Sequence, residues 1–588
     1  MYDANVVCNV AIIGGGPGGS TCATLLRKYA PDAKVVVLER EVFPRDHVGE
    51  SQLPAITPIL HEMGVWEKCE AAGFPVKTGA MYRWGNSDDL WKLDFLVGQK
   101  YVDRPRPAPL DGQRLQTTFH VDRAVYDEIL LDHAAECGVE VREGARVIGV
   151  RRDGDKVLGL DLANGETVEA DWYVDASGHA GILRRAMGVE VHEPTTLKNI
   201  AIWDYWTNPA WAETVNKGGV RARIFSLGYG WIWYLPIGET RSSVGFVTHA
   251  DYYKDQGVTP KELYERALRE EPFLTRVMQG ATSEGRLSTT KDWSFTADRL
   301  TGENWFLVGE SAGFADPILA AGMSLTQVGA RELAYVLVAL LHGDHDPEWL
   351  KTWYSELNLR RVRQHIRFAD YWYRANGHWT DLKAYTSEIA ADAGLTLNPD
   401  EAFRWLSTGG FATDSILGPS FGSYDLGPAK AVLSMLTGNP TSWRINQVND
   451  LKMNLVSAKE VEVPVYIDGR IERVGCYQRG PRLLAKAGAF GIVTRAIQRE
   501  RDAKTVMMLV RNALGLPPNF TGYHPGLAHC LEAIESMLVE GWIKGDRNKK
   551  RPMIRVEFQQ ESIRIGDDET DAQIAAEEGL SVRAAAPK

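Results

Sequence analysis

"VAIIGGGPGGSTCATLL", residues 10–26, decides the fold of this chain. Its opening apolar residues read as a buried strand, the glycines as a turn, and the remainder as a helix. Gly14, Gly16 and Gly19 stand in GxGxxG spacing, and Glu39 closes the next apolar strand, "KVVVLE" at 34–39. Each part has a physical reason. Gly14 permits a tight turn, Gly16 lets the backbone approach a pyrophosphate, and Gly19 lets the helix pack closely on the strand. The helix start then faces the phosphates. Glu39 is placed to accept from ribose hydroxyls of an adenosine lacking a 2′-phosphate. A lone GxGxxG is weak, but strand, glycines, helix and acid together specify a dinucleotide site.

The bulk numbers bound the rest. The chain has 588 residues, 44% hydrophobic and 24% charged, which is ordinary globular composition for one large domain and at least one more. Mean hydropathy is −0.25, and no apolar run long enough to span a bilayer stands out. The chain runs almost at once into a strand without a basic leader, so no signal peptide is expected. Six cysteines are scattered without CxxC spacing, which suits a reducing cytoplasm and neither a disulfide framework nor a metal site. A net charge of −11 argues against nucleic acid as the main partner.

Further along, 147–178 reads as a strand meander with "DG" and "NG" turns, and 304–341 as strand, glycine turn and long helix. "GWIWYLPIG", 230–238, reads as a strand with two tryptophans on one face, a large indole wall. The expected organisation is an interleaved cofactor and substrate domain over 1–345 and a helical extension over 346–450. A basic accessory module follows over 451–560, then an acidic, alanine-rich, disordered tail over 561–588. Within the module, 470–557 carries 16 Lys and Arg against 8 Asp and Glu and has the helix-then-hairpin pattern of a winged helix.

"YVDASG" (173–178), "WFLVGESAGFADP" (305–317) and "VDRAVYDEILLDHA" (121–134) resemble the remaining flavin-contacting motifs of the FAD-dependent monooxygenase superfamily. The resemblance implies an α/β fold. Its FAD-binding Rossmann-type domain would be GR2/p-hydroxybenzoate hydroxylase-like, with a mixed β-sheet substrate domain and a mainly helical C-terminal region. It implies FAD contacts from Gly14, Gly16, Pro17, Gly19, Glu39, Arg40, Arg123, Asp175, Gly178, Gly309, Glu310, Pro317 and Gly322.

Within that superfamily the chain resembles the flavin-dependent halogenases acting on phenols, pyrroles or carrier-bound acyl groups. "FPRDHVGES" (43–51), "GFPVKTGAMYRWG" (73–85), "WIWYLP" (231–236) and "FADPILAAG" (314–322) carry the likeness. It implies Lys77 as the catalytic lysine and the backbone amides of Ala321 and Gly322 as a halide nest. Trp231, Trp233 and Pro236 would form the wall separating flavin from substrate. It implies chloride or bromide as co-substrate, and reduced FAD from a separate flavin reductase, since no second dinucleotide fingerprint is present. His47, inside "RDHVGES", is read as a structural hydrogen-bonding histidine.

Four positions depart from the family pattern, the first being Leu235 in place of isoleucine in the tryptophan motif. Glu310 replaces an aspartate, Ala320 replaces the motif serine, and Leu319 stands where tryptophan halogenases carry glutamate. The last does not favour free tryptophan as substrate. Two other readings stay open: a different FAD-dependent oxidoreductase, either an aromatic hydroxylase or geranylgeranyl-reductase-like, and a non-enzymatic flavoprotein. Lys77 together with "WIWYLP" discriminates, because a reductase needs neither. The basic module would suit docking of an acidic carrier protein.

Overall fold

Val10–Ile13 lie at the end of a longer strand, β1 (Asn5–Ile13). The computed structural model describes residues 5–83, 91–96, 100–194, 197–208, 219–291, 293–377, 443–480, 482–520 and 524–554. It also describes short strands at 420–421, 424–425 and 563–565. Residues 84–90, most of 378–442 and most of the tail therefore lie outside the described residues, as does the side chain of Leu319.

In chain order, β1 leads to α1 (Pro17–Tyr29), β2 (Val35–Leu38), β3 (Val76–Arg83), α2 (Arg123–Glu136) and β4 (Glu140–Arg142). Then come β5 (Val147–Asp153), β6 (Lys156–Leu162), β7 (Thr167–Asp175), β8 (Asn199–Thr207), β9 (Val220–Leu227), β10 (Gly230–Pro236) and β11 (Arg241–His249). The first unit closes with β12 (Trp305–Leu307), α3 (Gly322–His342) and α4 (Pro347–Gly377).

The first sheet runs β4-β2-β1-β7-β6-β5, with β12 also on β7. Its centre is parallel, and Val35–Leu38 are buried throughout, as strands covered on both faces must be. Register brings Ile13, Leu38, Asp175 and Leu307 into one row. The residues after that row (Gly14, Glu39, Ala176 and Val308) therefore emerge together at the carboxyl edge. Ligands of open α/β sheets bind at that edge.

The second sheet runs β8-β11-β10-β9-β3. Alternation sorts β10 into two faces. Ile232 and Tyr234 enter an apolar cluster with Phe225, Phe246, Leu263 and Phe273. Trp231 and Trp233 take the opposite face, with ring centroids 5.8 Å apart and planes at 50°. Trp233 lies opposite Gly245 of β11, and its ring occupies the space a side chain there would need.

One composition reading is corrected here. Helix α3 is 21 residues long and apolar enough by length and composition to cross a membrane. In this fold its apolar residues are core: Ala330, Leu333 and Leu337 are fully buried.

The compact units are Met1–Asn376 with small later additions, and Gly377–Ile467 with Ile471–Ile563. The second is built on α5 (Gly488–Arg499), α6 (Ala503–Ala513) and α7 (Pro525–Val539), packed around Val493, Ile534, Met537 and Trp542. Strand Ile543–Asp546 follows α7 and pairs with Asp450–Met453 from the start of the unit. Part of the basic charge here is structural. Arg479 and Arg482 lie over the Trp542 ring at 4.4 and 5.9 Å, whereas Arg547, Lys549 and Lys550 are exposed.

The Trp233–Gly245 contact yields a prediction. Gly245→Ala places a methyl where the indole lies and forces the ring to move, at a cost of about 1–3 kcal/mol. Thermal melting should show a lower midpoint for Gly245→Ala, and an unchanged midpoint would mean the indole has room to shift.

Candidate functional site

Helix α1 begins with Gly16 in extended backbone and Pro17 at its first position, without a side-chain cap. Its first N–H groups are left for an anion. Gly14 has φ +104°, and a Cβ there would overlap the carbonyl of Ala176; one on Gly19 would overlap the carbonyl of Gly14. Only glycine fits these two positions. The loop is locked by Glu39, whose Oε2 accepts from Gly15 N–H at 2.6 Å and whose Oε1 accepts from Glu41 N–H at 2.9 Å. Glu39 is thus buried at the edge of the cradle. Arg40 is exposed and pairs with Glu41.

Three distant motifs meet at this edge. Gly14 abuts Ala176 and Ser177, Gly18 abuts Ala176, Val308 and Thr326, and Gly178 abuts the Glu310 carboxylate. Burial raises the Glu310 carboxyl, with Arg123 pulling the other way. Gly309, at φ +66°, starts the turn that carries Glu310.

Asp175 uses its carboxylate on the protein itself. Oδ1 accepts from Ser177 N–H and Oγ–H at 3.1 and 2.6 Å, and Oδ2 from the N–H groups of Leu183 and Arg184 at 2.7 and 3.1 Å. It shapes the 176–184 segment around Gly178. Arg123 is held by Asp127 at 2.7 and 2.9 Å and donates to Val48 O at 3.0 Å. His47 lies 3.3 Å from Arg123 Nη1, and burial with that charge pushes it down to about 4, so the ring is neutral.

The sequence reading passed over Arg45. Its guanidinium stands against Gly16, 3.3 Å from Asp127, and its Nη1 is buried with no acceptor among the described residues. A cation with a spare donor beside the start of α1 fits a phosphate. Taken with the cradle that only glycines permit, the residues present fit FAD.

Lys77 sits on β3, 1% exposed. Its Nζ donates to Gln52 O at 2.7 Å and lies 5.5 Å from the Phe95 ring centroid. Burial pushes the amine down to about 7. Gln52 was also passed over. Its Oε1 accepts from Thr118 Oγ1 at 3.0 Å, and its Nε2 lies 3.4 Å from Met323 Sδ, in the first turn of α3. One residue thus ties Lys77 to the start of that helix.

His120 is a third residue that the sequence does not single out, one position before the 121–134 motif. Its Nδ1 lies 3.1 Å from Pro236 O, the end of the tryptophan strand. A carbonyl can only accept, so Nδ1 carries the proton and Nε2 is a bare acceptor. Nothing among the described residues donates to Nε2. Burial, then the charge of Lys77, hold this histidine well below its usual range.

The turn Pro317–Leu319 is capped by Asp316, whose Oδ1 accepts from Ile318 N–H at 2.9 Å. Ala320 follows at φ +53°. Ala321 then caps α3 and Gly322 opens it. Gly322 is required because the Phe314 ring fills the space of a Cβ. Trp231 Nε1 donates to Tyr373 Oη at 2.7 Å, and Trp233 Nε1 to Ser243 Oγ at 3.1 Å. Among the described residues no group of three or more His, Cys, Asp or Glu could hold a metal.

Known proteins share this architecture. The FAD binding domain family matches residues 7–369. A tryptophan 2-halogenase from Chondromyces crocatus is 33% identical over 57% of this chain, and the match spans 62% of that enzyme, less than two thirds of its length. A 1H-pyrrole-2-carbonyl-[peptidyl-carrier protein] chlorinase from Pseudomonas fluorescens is 30% identical over 63% of this chain and 84% of its own. The crystal structure of CmlS, a flavin-dependent halogenase, superposes with a TM-score of 0.69 at 24% identity, covering 94% of this chain and 98% of its own. That likeness shows a shared fold extending past residue 369. With the family model matching more than half of this chain, and a 30% identical relative covered over 84% of its length, this chain belongs to the flavin-dependent halogenases of the FAD binding domain family.

Proposed function

We propose that the chain is a FADH2- and O2-dependent halogenase that oxidises chloride or bromide to hypohalous acid and halogenates an electron-rich aromatic ring. The observation that carries this is Lys77, a buried amine tied through Gln52 to the helix start that opens at Gly322. A hydroxylase or reductase has no use for that amine. Reduced FAD, when bound, supplies the oxygen-activating chemistry that oxidises the halide. We infer that it is delivered by a separate flavin reductase, in the reducing cytoplasm; the six free cysteines support that compartment.

The chain's own residues divide the remaining work. The amides of Ala321 and Gly322 hold the halide, helped by the positive end of a 21-residue helix. Ala320 does not weaken this role, since the backbone supplies the donors. Trp231 and Trp233 keep the aromatic substrate from the flavin side. Hypohalous acid reaches Lys77, whose free amine captures or directs the halogen. His120 Nε2, a bare acceptor beside Lys77, suits a neighbour that must not add a second positive charge.

Phenols, pyrroles and carrier-tethered acyl groups are the substrate classes the motifs favour, and the Pseudomonas relative acts on a carrier-bound pyrrole. The Chondromyces relative is named for tryptophan, so an indole belongs in any test. Reduced, FAD-loaded enzyme given oxygen, bromide and a panel of phenol, carrier-bound pyrrole and tryptophan should form a brominated product. A hydroxylated product regardless of bromide would mean an aromatic hydroxylase. No product would favour the reductase or non-enzymatic readings.

Lys77 should titrate in function. Below about 7 it is an ammonium, and above it is an amine with a free lone pair. Halogen transfer in a single turnover therefore rises with pH through that value and then levels off. Lys77→Arg keeps the charge at all pH and should lose product. Lys77→Met removes an amine that burial disfavours, so it should lose product while melting no lower than wild type. Activity in either variant would remove Lys77 from the chemistry.

The exposed basic turn gives a further test. Reversing Arg547, Lys549 and Lys550 should raise KM for a carrier-tethered substrate several-fold and leave a free phenol unaffected, roughly as loss of rim charges predicts. Equal effects on both would exclude carrier docking there.

A further inference from the structure

The indole of Trp231 does more than fill space. Its Nε1 donates to Tyr373 Oη at 2.7 Å, and Tyr373 Oη donates to Asp316 Oδ1 at 3.0 Å. Asp316 is 1% exposed and caps the Pro317–Leu319 turn. Oδ1 also accepts from Ile318 N–H at 2.9 Å, while Oδ2 lies 3.3 Å from Trp293 Nε1 and 3.4 Å from Asn199 Nδ2. Four separate segments therefore converge on one buried carboxylate (helix α4, the turn before α3, Trp293 and strand β8), and the tryptophan strand β10 joins them through Tyr373.

We propose that Tyr373, held by the Trp231 N–H, is a positioning residue for the halide, acting through Asp316 to fix the turn that aims the Ala321 and Gly322 amides. This rests on the halide role proposed above for those amides.

The physical argument concerns what a buried carboxylate needs. Out of water, its lone pairs must be met by donors, and each missing donor destabilises the charged form. Burial already pushes Asp316 up to about 6, against the pull of Ile318, Tyr373, Trp293 and Asn199. Tyr373 supplies the only hydroxyl among these donors. The turn it supports has little margin, because Ala320 is a side-chain-bearing residue held at φ +53°, where L-residues are strained. A cap that loosens lets Ala320 relax, and the two following amides turn with it. The Tyr373 hydroxyl also accepts from Trp231 Nε1, so its loss removes the link between the indole and the carboxylate. The wall and the halide turn are thereby one mechanical unit, joined by an N–H that phenylalanine would lack.

The test separates bulk from hydrogen bonding. Trp231→Phe keeps an aromatic ring and loses the donor, and Tyr373→Phe keeps the ring and loses both links. Oxidised FAD-loaded enzyme is titrated with bromide, the flavin absorbance change giving an apparent Kd without turnover. FAD content and melting midpoint are measured alongside. Tyr373→Phe should weaken bromide by roughly tenfold, the size expected for one hydrogen bond to a charged group. Trp231→Phe should weaken it by about threefold, as for a neutral link one step removed. The double variant should be no weaker than Tyr373→Phe within about twofold, because the two act in series. Wild-type affinity in both variants, with wild-type FAD content, overturns the proposal and leaves the halogenase reading intact. A wild type that shows no bromide response overturns both. If Tyr373→Phe fails to hold FAD, Trp231→Phe decides alone: unchanged affinity overturns the proposal and weakened affinity supports it.

Discussion

An amine buried at 1% exposure, donating to a backbone carbonyl and lying over the Phe95 ring, is the constraint around which the substrate side of this molecule is arranged. Taking a lysine out of water is costly, and the cost falls if the group gives up its proton. Lys77 sits on β3, beside β9 and the short Thr118–Phe119 strand, and the Gln52 carbonyl accepts from it. Gln52 is itself fully buried, and its amide is satisfied only because Thr118 and Met323 lie on either side. A soft thioether is a weak acceptor, so this contact says more about placement than about strength. It fixes the lysine relative to the start of α3.

The same economy governs the cofactor edge. Parallel register delivers four strand ends to one row, and the glycines there are dictated by contact rather than by flexibility. Gly14 and Ala176 touch because β1 and β7 are adjacent in that register. Any residue with a Cβ at Gly14 or Gly19 would push the strand–turn–helix unit apart. Asp175 then folds the next segment back by taking four donors, which brings Gly178 against Glu310.

The fold was largely legible because its determinants are local. A strand, three spaced glycines and an acid at the next strand end lie within 40 residues, and each has a contact reason. The tryptophan pair was legible for the same reason, since alternation alone places both rings on one face. What could not be read is whatever joins distant segments. Trp231 and Tyr373 are 142 residues apart, and Gln52 and Met323 are 271 apart. No periodicity encodes such a pair. His120 and Arg45 sat inside or next to quoted motifs, yet their roles depend on Pro236 O and Gly16, which only the fold brings near. The apolar run of α3 misled in the other direction. Length and composition let it pass for a span, and the burial of Ala330, Leu333 and Leu337 places its apolar residues in the core.

Ala320 shows why a missing side chain need not mean missing chemistry. If the family serine acted through its hydroxyl, alanine would remove a donor and nothing in the loop would replace it. If the position matters through its backbone, what must survive is the left-handed conformation that ends the turn. Here it survives, at φ +53°, with Ala320 N–H still donating to Pro317 O at 2.9 Å. Alanine and serine pay a similar steric penalty in that region, so neither residue is there because the backbone prefers it. The turn is imposed from outside, by the Asp316 cap on one side and by the Phe314 ring packed against Gly322 on the other. A loop whose shape is imposed by its supports can lose a side chain and keep its aim.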